Sequence, residues 1–381
     1  MEQQERYETL VIGGAQAGLS VGYYLKQQGR SFVVLDRNDR IGDSWRSRWD
    51  SLRLYSPAMR DALPGMAFPA RRTSYPTKDA MADYLEAYVE RYNLPVRTGT
   101  GIEGLTKENG RYVATAGDRR FEADNVVVAT GVFQKPHVPD FATDLDPSIT
   151  QLHSYAYRNL SQLQEGPVLV VGASHSGSDI AFEAASKHEV ILSGTDTGQI
   201  PAPIESRRGR FFFRGLFLAG TYVLTVDTPL GRKMRPHVRH GGGPLLRYRR
   251  KDLRNAGVER VLARTAGVEK GRPVLDDGRL LDVRNVVWCT GFRPDYSWIR
   301  FPFEIGEDGF PVQYRGVVSS SPGLYVVGLP FLHSFASMLI AGAGRDAERV
   351  ARHIVAEGAA AEAAKPTRRP RPAMAEERVA S

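Results

Sequence analysis

Short apolar runs bounded by glycine turns alternate along this chain with stretches whose apolar positions recur every three or four residues, the mark of strands interleaved with helices. The first run, residues 10–12, leads into a glycine turn, a helix, and a second run at 32–35 closed by Asp36. The same order returns at 167–171, with a glycine turn, a helix to about Lys187 and a strand at 190–192. Two further apolar strands, 125–131 and 285–291, each end in Thr-Gly. Gly13 and Gly131 lie 118 residues apart and Gly172 and Gly291 lie 119 apart, so the two halves keep step and read as one design used twice.

Between these landmarks the pattern is also informative. Met81, Tyr84, Leu85, Tyr88, Val89 and Tyr92 share one helical face, with Thr77 placed to cap it and Pro95 beyond its end; that aromatic face reads as core. Hairpin signals stand at Asn109-Gly110, around Gly271 and at Asp277-Gly278. Pro136 and Pro139 mark a crossing between domains. A last apolar strand at 324–328 and a helix with Ala347, Val350, Ala351 and Ile354 on one face should return to the first half. The expectation is an α/β protein of two Rossmann-like dinucleotide-binding domains, of the three-layer ββα type. Residues 1–150 and 290–356 form the first, 151–289 an inserted second, and 357–381, rich in Ala, Pro and Arg, a disordered tail. Residues 36–80, irregular and rich in Arg, aromatics and Pro, are too long for a spare connection and should line a site.

The glycine turns carry the chemistry. Gly13-Gly14-Ala15-Gln16-Ala17-Gly18 is a variant of the dinucleotide fingerprint. Gly13 permits the sharp turn, a small residue at 15 lets backbone N–H groups approach a pyrophosphate, and Gly18 lets helix and strand pack closely. The helix N-terminus adds unpaired donors and a positive dipole end. Asp36, 23 residues after Gly13, is placed to accept from a ribose diol, with Arg37 beside it. The second turn holds Gly172, Ser174, Ser176 and Gly177, and there the same offset falls on Thr195, where no carboxylate would repel a 2′-phosphate. Arg207, Arg208 and Arg210 downstream could neutralise one, which leans to NADPH; Asp196, one residue away, keeps NADH open. A resident dinucleotide on one half and a nicotinamide on the other suggest FAD plus NADPH, with Gly131 and Gly291 ending the strands that face them.

Composition narrows the picture only a little. At 381 residues the chain exceeds what one core supports. Its single cysteine, Cys289, rules out an internal disulfide or redox pair and suits a reducing, cytoplasmic setting, and the N-terminus shows no signal pattern. Cys289, inside an apolar strand, reads as inert core. The apolar run 211–226 is short for a bilayer and holds Arg214; it reads as a buried or lid helix, with an interfacial membrane contact as the lesser alternative. The net charge of +8 crowds into 207–214, 232–240, 247–254 and the tail, without any nucleic-acid motif beside it.

With these residues in place, the chain resembles the class B flavin-dependent monooxygenases, the flavin-containing monooxygenase group, and most of all the subgroup of plant indole-3-pyruvate enzymes and their bacterial relatives. The carriers are GGAQAG, IGDSW with Gly42, Asp43, Ser44 and Trp45, LRLYSP with Arg53 and Tyr55, YPTK, VVVATG, GASHSG and WCTGFRPD, spread over residues 7–354. The resemblance implies hydride transfer from NADPH to FAD and reaction with O2 to a flavin C4a-hydroperoxide. One oxygen atom then passes to a small organic substrate, an amine, a sulfide or an activated carbonyl. No nucleic acid partner or transmembrane segment is expected, and a homodimer is compatible. Trp45 would lie at the flavin. Tyr55, where the animal-type enzymes carry an asparagine, would face the ring or stand in the wall. His153 matches the end of a family fingerprint whose Phe and Gly places hold Pro147 and Ile149, and reads equally as a cofactor gate or a hinge histidine. The final strand carries Leu329 after Gly328 instead of an acid. Pocket walls are expected at 211–226, 241–250 and 331–340. The competing readings are an NAD(P)H oxidase or reductase that releases the peroxide and a flavin-binding regulatory protein.

Overall fold

The computed structural model describes residues 3–363. Strand β1 (Gln3–Ile12), helix α1 (Gln16–Gln27) and strand β2 (Phe32–Leu35) come first, followed by the short α2 (Asp43–Arg46) and α3 (Lys78–Tyr92). Strands β3 (Val96–Arg97), β4 (Gly104–Glu108), β5 (Arg111–Ala116) and β6 (Arg119–Val128) complete the first pass, and β7 (Lys135–Pro136) leaves it. The second unit holds β8 (Thr150–His153), β9 (Val168–Val171), α4 (His175–Ala184) and β10 (Val190–Ser193). It continues with α5 (Arg207–Tyr222), α6 (Pro229–His240), α7 (Arg250–Asn255), β11 (Glu259–Val261), β12 (Thr265–Glu269), β13 (Arg272–Leu275) and β14 (Asn285–Trp288). The return is made by β15 (Phe292–Arg293), β16 (Leu324–Val326) and α8 (Ile340–Ala363).

The repeated pattern in the sequence becomes a repeated sheet. The first has parallel strands in the order β3-β2-β1-β6 with β16 beside β6, extended by the antiparallel β5 and β4; the second runs β11-β10-β9-β14-β8, all parallel. In each, the strand before the glycine turn sits at the centre. Its apolar run is continuous because both faces are covered. Val11, Val34 and Val127 face one core cluster, with α1, α3 and α8, while Leu10, Ile12, Val33 and Val126 face another on the opposite side. Val168 and Val170 likewise point away from Leu169 and Val171. The two passages between the units, β7 and β15, pair antiparallel.

The local signals explain the helix ends. Thr77 accepts from the Ala80 N–H, and Asn93 stops α3 in the left-handed region at φ 43°. The tyrosines of α3 are core, as expected, and they also pin residues 63–66. Tyr84 accepts from the Leu63 N–H and donates to the Met66 carbonyl, and Tyr88 donates to the Pro64 carbonyl. Two expectations need correction. The helix α8 runs through residues 357–363, where the composition predicts a disordered tail; the remainder of that tail lies outside the described residues. Of the two parts of the buried-or-lid reading of 211–226, full burial fails, for Phe211, Leu218 and Tyr222 are exposed while Phe217, Gly220 and Thr221 face inward. No helix among the described residues is long and apolar enough to cross a membrane.

Candidate functional site

Two turns of the same construction stand at the heads of the two central strands. Gly13 (φ 114°) is held against the Ala129 carbonyl, and a Cβ there would lie 2.6 Å from that oxygen. Gly172 (φ 105°) meets the Cys289 carbonyl the same way, at 2.3 Å. A Cβ on Gly18 would lie 1.9 Å from the Gly13 carbonyl oxygen, and one on Gly177 1.8 Å from that of Gly172. Ala129 and Cys289 are equivalent residues of the two Ala/Cys-Thr-Gly strand ends, so the duplication reaches individual atoms. Gly131 and Gly291 have positive φ but open space around them, so they are required for backbone direction and not for clearance.

The helices that leave these turns share a second property. Neither Ala15 at the head of α1 nor Ser174 at the head of α4 caps its helix with a side chain. In contrast, Thr77, Ser206 and Thr228 cap α3, α5 and α6. The N–H groups around Gln16 and Ala17, and around His175 and Ser176, are therefore left for an anion. Asp36 ends β2 as the spacing requires. Its Oδ2 accepts from the Gly14 N–H and its Oδ1 from the Asn38 backbone and side chain, at 2.5, 2.8 and 2.8 Å. A carboxylate can accept about four hydrogen bonds, so one place on Oδ2 remains for a ribose hydroxyl. Arg37 is exposed at the lip. The residues present thus fit a dinucleotide at each turn.

At the second turn the structure reassigns the cations. Arg207 and Arg208 open α5 and are exposed. The loop after β10 is instead held by Arg260, which donates to the carbonyls of Leu192, Gly194 and Thr195, and by Arg250, paired with Asp196. Asp196, the residue that could have reversed the nicotinamide preference, has its carboxyl held below the usual range by Arg250 first and the Gly198 N–H next. Thr195 itself is exposed. Ser174 donates to the Gly243 carbonyl at 2.9 Å, so the triple-glycine loop 241–243 lies across the second turn.

Residues 45–55 lie between the two units. Trp45 donates from Nε1 to the Gln16 side chain at 3.3 Å and packs on core clusters of both units. Gly42 (φ 90°) is pressed against Ala82 of α3, where a Cβ would lie 2.7 Å from a carbonyl oxygen. Asp43 joins Arg46, Asp83 and Glu86 in an ion network, and the Ser44 carbonyl accepts from Arg48. Arg53 donates to the Tyr75 carbonyl at 3.3 Å. Trp49 and Leu52 are buried in the second unit's core beside α4.

The two residues proposed as catalytic have definite partners. Tyr55 donates to Asp179 of α4 at 2.9 Å, and its hydroxyl pKa is driven well above the usual value by burial and then by that carboxylate. Asp179 is pushed up to about 6 by burial, offset by Arg247. Arg247 also donates to the Leu54 carbonyl at 3.0 Å and lies over the Tyr55 ring. The cluster ties residues 53–55 to the second unit. His153 has both ring nitrogens engaged: Nδ1 accepts from the Tyr155 N–H at 3.0 Å, so Nε2 carries the proton toward the Gly291 carbonyl at 2.9 Å. Burial lowers its pKa, so the neutral ring is favoured. The ring thereby joins β8 to the start of the return passage.

Sequence reasoning missed Arg48, Asp179, Arg247 and Arg260. Arg48 sits where Phe133, Tyr155 and Phe292 meet, 4.7, 5.4 and 5.8 Å from their ring centres, its pKa lowered to about 10 by burial. An arginine between two tryptophans in an otherwise irregular segment was the available signal. Asp179 offered one as well, since an acid facing the sheet on a helix after a glycine turn needs a partner. Of the run 211–226, Phe217, Thr221 and Tyr222 border an open surface depression together with Met59, Arg60 and Arg345.

The profile of the pyridine nucleotide-disulphide oxidoreductase family matches residues 10–201. An uncharacterized CzcO-like oxidoreductase of Geobacillus kaustophilus is 40% identical over 91% of this chain and 97% of its own length. A probable indole-3-pyruvate monooxygenase of Arabidopsis thaliana is 28% identical over 91% of this chain and 86% of its own. Among solved structures, a flavin-containing monooxygenase from Stenotrophomonas maltophilia matches with a TM-score of 0.75 and 26% identity, covering 93% of this chain and 99% of that one.

Proposed function

The chain belongs to the pyridine nucleotide-disulphide oxidoreductase family, and from that premise we propose that it is an FAD-dependent, NADPH-consuming monooxygenase that passes one atom of O2 to a small organic substrate. The observation that carries the reading is the atom-level repeat of the two glycine turns, each with an uncapped helix behind it. One turn would hold the flavin through Gly13, Gly14, Gly18 and Asp36, the other the nicotinamide through Gly172, Ser174, Ser176 and Gly177. Bound flavin supplies hydride acceptance and oxygen activation. The chain's own work is to place the two coenzymes, to hold the crossing between them and to keep water out. Arg250 supports NADPH over NADH by neutralising Asp196.

The family's name suggests a second reading, disulfide reduction, which the residues disfavour. The chain has one cysteine, Cys289, whose thiol is pushed up to about 12 by burial. A thiol that holds its proton so firmly is a poor nucleophile, and it has no partner sulfur. The test is direct. The purified protein should be yellow, and anaerobic NADPH should bleach it. A panel of amines, sulfides and activated carbonyls, scored by NADPH consumed against H2O2 released, should contain compounds that suppress H2O2. Stoichiometric H2O2 across the whole panel would assign an oxidase instead, and a colourless protein that refuses FAD would remove both.

A further inference from the structure

Residues 206–251 hold twelve Lys and Arg against one acid, Asp227, a net +11 where the whole chain is +8. The rest of the molecule is therefore slightly acidic, and its basic character is concentrated here. Within this segment α5 turns large apolar side chains outward. Phe211 is 83% exposed, Tyr222 70%, Val223 50%, Leu218 47% and Phe212 41%, with Leu230 at 50% just after the turn into α6. Positions 207, 211, 214 and 218 follow at intervals of three and four, so Arg207, Phe211, Arg214 and Leu218 make one outward stripe. Arginine and apolar residues alternate along it. The opposite face is fixed to the protein: Phe217 lies under Arg60 at 4.3 Å, and Gly220 packs on Phe335, where a Cβ would meet the ring at 2.7 Å.

We infer that α5, with the basic start of α6, seats the enzyme on the surface of an anionic phospholipid membrane. A helix of 16 residues with an apolar stripe among arginines suits the headgroup–acyl boundary, where the side chains enter the lipid and the guanidinium groups meet phosphates. The arginines reach that level along their own aliphatic stems. Two other occupants fit the same surface less well. In a symmetric pair of copies this face would meet itself and bring two fields of the same sign together. A nucleic acid would use the arginines but leave Leu218, Val223 and Leu230 in water.

Sedimentation of the full-length holoprotein with vesicles tests this. Binding to vesicles containing one-quarter phosphatidylglycerol is expected, with far weaker binding to pure phosphatidylcholine and release by high salt. The triple variant Arg214→Gln, Arg232→Gln, Lys233→Gln should bind the anionic vesicles roughly 100-fold more weakly, at about fivefold per charge. The pair Phe211→Ser, Leu218→Ser should lose at least about tenfold on the same vesicles, while keeping bound flavin as the sign of an intact fold. No sedimentation with either vesicle overturns the inference. So does binding that ignores both lipid charge and the triple variant, salt-sensitive retention of DNA without lipid binding, or a dimer by light scattering that the Phe211→Ser, Leu218→Ser pair splits.

Discussion

The Tyr55 hydroxyl shows how little a residue's place in a motif says about its partner. Its position in LRLYSP allows it to face the ring or to stand in the wall, and names no partner; the proton it carries goes to Asp179, a carboxylate with its other oxygen unpaired. Tyr55→Phe would leave that buried acid with Arg247 at 3.5 Å as its remaining donor. A loss of about 1–3 kcal/mol in urea unfolding is expected, and an unchanged midpoint would show that the bond has no structural weight. Asp61 makes a second residue-scale prediction. It is fully buried, Ser56 donates to one of its oxygens, and burial pushes its pKa up to about 7. A carboxyl whose folded pKa is raised binds more protons folded than unfolded, so its stabilising effect is whole below about pH 4 and is lost as pH rises through 7. Each pH unit in that window removes up to about 1.4 kcal/mol. The wild type should therefore lose more stability between pH 5 and 8 than Asp61→Asn does. Parallel pH profiles of the two proteins would exclude the effect.

At the scale of elements, what could be read from the chain was whatever local rules decide. The strands 10–12, 32–35, 168–171 and 285–288 announced themselves because burial on both faces demands unbroken apolar runs. The turns did so because only glycine fits where a carbonyl stands within 3 Å of the missing Cβ. The helix α5 misled for the converse reason: an apolar run states that water is unfavourable, not what replaces it. The partners of Arg48 were out of reach because Phe133, Tyr155 and Phe292 lie 85 to 244 residues away in sequence. That cage holds both passages between the units, and cation–π contacts of this kind are worth about 0.5–2 kcal/mol. Arg48→Ala should speed amide hydrogen exchange in residues 131–137 and 291–295 while leaving β1 and β9 protected. Equal exchange in variant and wild type would place Arg48 outside the hinge.

For the whole molecule, the duplication and the proposed function together predict that two coenzymes are held by separate sheets that share only the ground between them. Damage to one turn should then be confined to one cofactor. Gly172→Ala forces a Cβ to within 2.3 Å of the Cys289 carbonyl at a backbone angle that alanine rarely adopts. The second turn must shift, but nothing in the first sheet need move. The protein should stay yellow and accept electrons from dithionite, yet its flavin should be reduced by NADPH at least about tenfold more slowly, since a helix N-terminus displaced by an ångström no longer positions its ligand. Gly13→Ala, with its Cβ 2.6 Å from the Ala129 carbonyl, should do the reverse, losing flavin on gel filtration while the remaining apoprotein still raises NADPH fluorescence on binding. Swapped outcomes, with Gly172→Ala colourless or Gly13→Ala retaining flavin but refusing NADPH, would mean that the coenzymes occupy the opposite halves. Loss of both cofactors in either variant would mean that the two sheets are not independent, and the repeat would then record common construction without separate function.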